Sequence, residues 1–364
     1  MPKVVFLVYN YLPNEISPEQ WISRIGAQVK VMQELGKKWS VFFVGHIGYQ
    51  GSLVSNNIQY FFLPGSHRTK YFPFRTHLFI KRLKPDVVII FGMHSQIQII
   101  QLQFFVGRDT KIIEQYEADK PFSGIKLILQ QLADRRINYY FFSAKEDARP
   151  WVNTGNILNF NKCKEVYVGA PKFDIQNKEE SKHKISMYGN SNYLWVGRLN
   201  DNKDPLTVLN AFAKYLKINP FARLHMIYHT ADMLPQIREL VATHAISYAV
   251  LLHGFIQHDE LKYWYSAAEF FISASLREGG SYALIEAMAC GCIPIVSAIP
   301  SSLVAIQYGE VGLYFEPGNV NELVKILLVT NTMNKALWSA RVREHFSTHY
   351  SAAIIARKLI DLLS

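Results

Sequence analysis

Long apolar runs are missing: nowhere in the 364 residues does a hydrophobic stretch approach the roughly 18 residues that a bilayer-spanning helix needs. The opening Met1-Pro2-Lys3-Val4 leads straight into a strand-like segment, with no basic and apolar leader before it. The chain is therefore expected in the cytoplasm. Cysteine is scarce as well. Cys163, Cys290 and Cys292 are odd in number and two are nearly adjacent, which argues against a disulfide framework and leaves a zinc site short of ligands. No nucleic-acid-binding module is present. Acidic residues are absent between Leu35 and Pro85, a span that holds Lys37, Lys38, Arg68, Lys70, Arg75, Lys81, Arg82 and Lys84.

What the chain does have is apolar material for two cores, 49 percent of its residues, at a length that would make one domain unusually large. Strand-like and helix-like segments alternate from end to end, the signature of doubly wound α/β sheets. In the first half the expected strands are 4–8, 41–44, 59–63, 87–91, 111–114, 139–143 and 165–168. The polar run 177–184 interrupts the alternation, which resumes at Tyr193. Expected boundaries are a first domain at 1–176, a linker at 177–192, a second domain at 193–348 and a terminal helix at 349–364.

The most informative stretch is Arg277-Glu278-Gly279-Gly280-Ser281-Tyr282-Ala283-Leu284-Ile285-Glu286. The apolar run 269–274 before it reads as a buried parallel strand, so Glu278 falls in the loop at that strand's carboxyl end. From Ser281, an expected N-cap, the residues favour a helix. A helix opening behind two glycines presents free N–H groups and a positive dipole end, which suits a phosphate. Glu286, deeper on that helix, can accept hydrogen bonds from two ribose hydroxyls. About eighty residues upstream, Trp195-Val196-Gly197-Arg198-Leu199-Asn200-Asp201-Asn202-Lys203 reads as strand, glycine turn and helix entry. Arg198 and Lys203 are the cations for a diphosphate; otherwise they are solvated charges beside Asp201 and Asp204.

These two blocks resemble the E-x7-E and G-R-L-x-x-x-K motifs of the retaining glycosyltransferases of family 4. The blocks that follow are also similar in order and spacing: Ala287-Met288-Ala289-Cys290-Gly291, Pro294-Ile295-Val296, and Val311-Gly312-Leu313-Tyr314-Phe315-Glu316-Pro317-Gly318-Asn319. The resemblance implies a GT-B fold, two Rossmann-like domains with parallel sheets facing across a cleft, and a last helix that crosses back to the first domain. It implies transfer of a hexose, with retention, from a UDP- or GDP-linked sugar to an acceptor hydroxyl in polysaccharide or glycolipid synthesis. Arg198 and Lys203 would stabilise the leaving diphosphate, Glu278 would contact the sugar supported by Gly279, Gly280, Ser281 and Tyr282, and Glu286 would hold the ribose. No protein nucleophile and no cofactor is implied. No Asp-x-Asp occurs anywhere in the chain, and metal independence is expected by the same resemblance.

The first domain departs from that pattern. Where relatives usually carry a glycine pair, Ser23-Arg24-Ile25-Gly26-Ala27-Gln28 keeps one, so Gly26 is the candidate for close approach to the donor. His94, just after the strand 87–91, is similar to a histidine that bonds sugar or acceptor; a structural histidine is the alternative. A second family histidine is replaced within 113–119, leaving Glu117 and Asp119 either to orient an acceptor or to face water. Phe255 stands where the nucleotide base would pack, or is a core aromatic.

Residues 1–185 carry 25 Lys and Arg against 15 Asp and Glu, and residues 186–364 carry 14 against 14, so the formal charge of +10 lies wholly in the first half. In 68–84 aromatics alternate with cations. Such a segment could lie on the inner, anionic face of a membrane, each cation contributing about 1 kcal/mol. Alternatively Phe74, Leu78, Phe79, Ile80 and Leu83 belong to a core helix with a solvated basic face. The acceptor is expected to be a glycan or a lipid-linked sugar, and no nucleic acid. A sugar-nucleotide epimerase, a phosphorylase or hydrolase, and a non-catalytic membrane-associated sugar-nucleotide-binding protein are the competing readings.

Overall fold

A computed structural model gives the architecture and describes residues 1–66, 71–189 and 191–364. The chain divides into two compact units, Met1–Ala170 with Ala352–Ser364, and Pro171–Ser351.

The first unit is built on eight strands: β1 Lys3–Leu12, β2 Ser40–Ile47, β3 Gly51–Ser55, β4 Ile58–Phe62, β5 Val87–Phe91, β6 Lys111–Gln115, β7 Ile137–Phe142 and β8 Cys163–Glu165, in the order β3-β4-β2-β1-β5-β6-β7-β8. Its central strands are apolar on both faces because helices cover both, as parallel sheets require. All pairings are parallel except β3–β4, a hairpin whose turn residues Asn56 and Asn57 have φ of 52° and 62°. Sequence reading missed β3, since its residues alternate without a buried face, and it set the last strand of this half at 165–168, whereas β8 ends at Glu165.

The C-terminal helix Ala352–Leu363 packs on the helix Gly26–Leu35 and inserts Ile355 and Leu359 into the core of this unit. On the opposite face of the sheet lie the helices Phe74–Leu83, Gln96–Leu102 and Ile125–Asp134, contributing Ile80, Ile99, Leu102 and Ala133 to the core. The helix Phe74–Leu83 buries part of the expected set: Ile80 lies in the core and Phe79 and Leu83 pack against it. Thr76, His77 and Ile80 face the sheet while Phe74 and Leu78 stay exposed, because His77 Nε2 meets Tyr9 Oη at 2.9 Å and fixes the helix's rotation. Arg68 and Lys70 lie outside the described residues.

In the second unit, β9 Asn192–Gly197, β10 Arg223–Tyr228, β11 Val250–Gly254, β12 Phe270–Ser273, β13 Ile293–Ser297 and β14 Leu313–Phe315 form a parallel sheet in the order β11-β10-β9-β12-β13-β14. From β9 the chain winds outward to β10 and β11, and from β12 it winds the other way to β13 and β14. The loops leaving β9 and β12 therefore diverge at the point where the winding reverses, the crevice where open α/β sheets take ligands.

Residues 177–184 are not a free linker. Asn177 caps the helix Lys178–Lys184 by accepting from Glu180 N (3.1 Å). Lys178 and Lys182 both reach Glu269 Oε1 at 3.0 Å, and Glu269 also accepts from Asn192 N (2.9 Å). The polarity that resembled a linker serves an ion cluster on the buried Glu269 at the start of β9.

One buried acid in the first unit yields a stability prediction. Glu114 on β6 is inaccessible, and burial, reinforced by the nearby Asp119 charge, raises its pKa to about 8. The folded state therefore keeps it neutral in a pH range where the unfolded chain ionises. Below the ordinary carboxylate value the group is neutral in both states and carries no penalty. As pH rises from there towards 8, folding loses up to about 1.4 kcal/mol per pH unit. Glu114→Gln should thus raise the melting temperature progressively from pH 5 to pH 8. A melting-temperature difference that is flat with pH would show that Glu114 ionises alike in both states.

Candidate functional site

Arg198 follows β9 directly, and the chain then turns through a 3-10 segment, Asp201–Lys203. Asn200 Oδ1 accepts from Lys203 N (3.1 Å), and Asp204, at φ 42°, caps the helix Pro205–Leu216 by accepting from Thr207 N (3.2 Å). The polar residues of this turn are its scaffold, which fixes where Arg198 and Lys203 leave the backbone.

The β12 loop is tied to the β9 loop. Leu276 N donates to Asn202 O (2.8 Å) and Asn202 Nδ2 to Arg277 O (2.9 Å). From the β13 side, Ser301 Oγ donates to Glu278 O (3.2 Å). Gly280 has φ 148°, a region that a side chain would strain, and Ser281 then caps the helix Tyr282–Ala289 by accepting from Leu284 N (3.4 Å).

These loops enclose a cavity of about 560 Å³ within the second unit, lined by Arg198, Lys203, Phe255, Glu278, Tyr282 and Glu286 among others. Gly280 and Ser281 also line it, and Gly279 lies between Glu278 and Gly280 in the same loop. Lys203 Nζ and Glu278 Oε1 form an ion pair with both side chains largely shielded from solvent. Phe255 is 63% exposed at the rim and is not a core aromatic.

Glu286 is 6% exposed and both of its oxygens have protein partners: His258 Nε2 donates to Oε1 (2.7 Å) and Tyr265 Oη to Oε2 (3.2 Å). The hydrogen bond to Glu286 raises the pKa of His258 against the opposing effect of burial. Phe173 packs on the His258 ring with centroids 4.8 Å apart. His258 and Tyr265 line the cavity and were not found from the sequence. Their seven-residue separation places both near one side of the chain entering the helix Leu261–Ala267, but neither has a motif to mark it.

Gly26 and His94 belong to the first unit. Gly26 opens the helix Gly26–Leu35 and is buried. His94 Nε2 lies 2.6 Å from Asp119 Oδ1, and Met93 N donates to Asp119 Oδ2 (3.0 Å). Burial would raise the Asp119 pKa, but the His94 and Met93 hydrogen bonds outweigh it and hold the carboxyl below its ordinary value. Burial, then the Asp119 charge, raises the pKa of Glu117. Among the described residues, no three His, Cys, Asp or Glu side chains gather as a metal site, and no helix is long and apolar enough to cross a membrane.

Two Rossmann-like units, the second with its crevice at the β9/β12 reversal, are the GT-B fold of glycosyltransferases. Residues 177–333 match the family model for glycosyl transferases group 1. The chain is 29% identical over 137 residues to mannosylfructose-phosphate synthase of Agrobacterium fabrum, covering 36% of this chain and 30% of the relative. It is 27% identical over 177 residues to alpha-monoglucosyldiacylglycerol synthase of Streptococcus pneumoniae, covering 48% and 40%. The chain thus spans less than half the length of either curated relative. Among solved structures, Anabaena HepE in complex with UDP superposes with a TM-score of 0.76 at 14% identity, covering 99% of each chain.

Proposed function

We propose that the protein is a retaining glycosyltransferase that moves a hexose from a nucleoside diphosphate sugar to an acceptor hydroxyl, in the synthesis of a cell-surface polysaccharide or glycolipid. The reading rests on one observation: two cations, a capped helix start and two carboxylates meet at a single cavity at the sheet's reversal point. The family match and the UDP and UDP-glucose complexes of the structural relative HepE support a nucleotide-sugar donor.

In this account Glu286 accepts the ribose hydroxyls, using lone pairs left over from His258 and Tyr265, which fix its orientation. Phe255 packs beside the base. Without donor, Lys203 and Glu278 neutralise each other. With donor, Lys203 turns to the diphosphate and Glu278 to the sugar hydroxyls, so neither charge is stranded. The bond between the anomeric carbon and the phosphate oxygen breaks, and the acceptor oxygen bonds to that carbon on the same face. The acceptor proton passes to a phosphate oxygen of the departing nucleoside diphosphate. Negative charge grows on the diphosphate as that bond breaks, so Arg198 and Lys203 stabilise the transition state more than the bound donor. His94, oriented by Asp119, is assigned to a hydroxyl of sugar or acceptor, and Gly26 to close approach of the donor. The two cations stand in the place of a divalent metal, which makes the reaction metal-independent.

A thermal-shift panel of nucleoside diphosphates and their sugars, run in EDTA, tests the reading. One base series should raise the melting temperature, because a ligand bound only to the folded state stabilises it by mass action. Slow release of free nucleoside diphosphate without acceptor marks the transferase, whereas two-way interconversion of donor sugars marks an epimerase. No shift with any nucleotide would reject the reading.

A further inference from the structure

The helix Ile125–Asp134 is mounted inside out. Its sequence, Ile-Lys-Leu-Ile-Leu-Gln-Gln-Leu-Ala-Asp, offers five large aliphatic residues, yet the side turned to the sheet carries Gln130, Ala133 and Asp134. Ile125 is 78% exposed, Ile128 57% and Leu132 43%. The rotation is fixed by a buried polar chain: Gln96 Nε2 donates to Gln130 Oε1 (3.1 Å), Gln130 Nε2 to Tyr140 Oη (3.1 Å), and Tyr140 Oη to Asp134 Oδ1 (2.9 Å). Turning the helix to bury its isoleucines would strip every member of that chain of a partner.

The neighbouring helices on this face show the same habit. Phe74 and Leu78 of the helix Phe74–Leu83 are exposed, as are Phe72 just before it and Phe104 just after the helix Gln96–Leu102. The face is linked across its width: Phe74 packs on Phe105 with centroids 6.2 Å apart, and the helices Gln96–Leu102 and Ile125–Asp134 are in contact. Exposed aliphatic and aromatic side chains gathered on adjoining helices mark a docking site.

Charge decides the occupant. Arg75, Lys81, Arg82 and Lys126 are exposed on these helices, whereas Asp134 is buried against Lys162 Nζ at 3.1 Å. Apolar side chains outward with cations beside them is the pattern of a surface that lies in the interface of an anionic bilayer, its aliphatic and aromatic groups among the acyl chains and its cations at the headgroups. We propose that this face, with Ile125 and Ile128 at its leading edge, seats the protein on an anionic lipid surface. Of the basic segment on which sequence reading placed such contact, Arg75, Lys81, Arg82, Phe72 and Phe74 would then contribute, and the helix Ile125–Asp134 the deepest insertion. The inference is independent of the donor reading, since every residue in it lies in the first unit.

The test is co-sedimentation with vesicles of phosphatidylcholine and phosphatidylglycerol in equal parts, against vesicles of phosphatidylcholine alone. The unaltered protein should bind the mixed vesicles at least tenfold more tightly and release partly in high salt. The double variant Ile125→Asn, Ile128→Asn should lose tenfold or more of that binding, whereas Phe221→Asn, at an exposed residue of the second unit, should lose none. Should the double variant fold poorly, Ile128→Trp gives an independent readout, in which brominated lipid in the mixed vesicles should quench the added fluorescence. Equal binding to both vesicle types, binding unaffected by the double variant, or no quenching would overturn the proposal. So would sedimentation velocity showing a dimer that the double variant dissolves, with no lipid binding.

Discussion

Arg198→Ala and Lys203→Ala should each lower turnover by about a hundred- to a thousandfold, while the folded protein stays intact. The size follows from removing one preorganised donor to a developing charge, about 3 to 4 kcal/mol. Folding should survive because the turn that carries both residues is held by Asn200, Asp204 and the backbone link to Leu276, none of which uses these two side chains. The two variants should nevertheless differ. Removing Lys203 also leaves Glu278 without its ion-pair partner in a largely shielded position, so Lys203→Ala should affect sugar binding as well as leaving-group stabilisation. Arg198→Ala should act mainly on turnover. Steady-state kinetics with donor varied would separate the two, and near-normal turnover in both variants would reject the phosphate role.

Glu286→Gln should weaken donor binding by thirtyfold or more, equivalent to about 2 kcal/mol, the lower end of what breaking a buried, hydrogen-bonded charge pair removes. Glutamine keeps the shape but presents one acceptor and one donor, so it cannot accept at both oxygens as the carboxylate does from His258 and Tyr265. The loss should fall on donor affinity more than on turnover, since the ribose is far from the reacting carbon. The same variant should return the His258 pKa towards its ordinary value, because the hydrogen bond to Glu286 is the largest cause of its rise. A histidine titration by NMR would register this apart from any activity. Unchanged donor affinity would remove Glu286 from the ribose site.

Much of the second unit was legible because its elements are short and sharply punctuated. The strand before Arg198, the strand before Glu278, and the helix opening at Ser281 each carry an apolar run, a glycine or a capping residue in sequence. The partners of Glu286 were illegible for an equally physical reason. His258 and Tyr265 reach it across 28 and 21 residues of chain, and only tertiary packing brings them there. The same applies to the ion cluster on Glu269, where charged residues that look solvated in sequence are consumed by one buried carboxylate. In the first unit the failure was one of helix rotation. In Phe74–Leu83 Ile80 is buried as expected, but a buried histidine contact leaves Phe74 and Leu78 outward, and in Ile125–Asp134 buried glutamine contacts turn aliphatic side chains outward. Hydropathy patterns cannot register a competing hydrogen-bond network.

The most direct test of the central claim is a crystal structure of the protein with a bound nucleoside diphosphate sugar. The account predicts the diphosphate against Arg198 and Lys203, the Lys203–Glu278 pair opened, and the ribose hydroxyls on Glu286 with His258 and Tyr265 still attached. A nucleotide bound elsewhere, or bound here with the Lys203–Glu278 pair intact and Glu286 untouched, would contradict it.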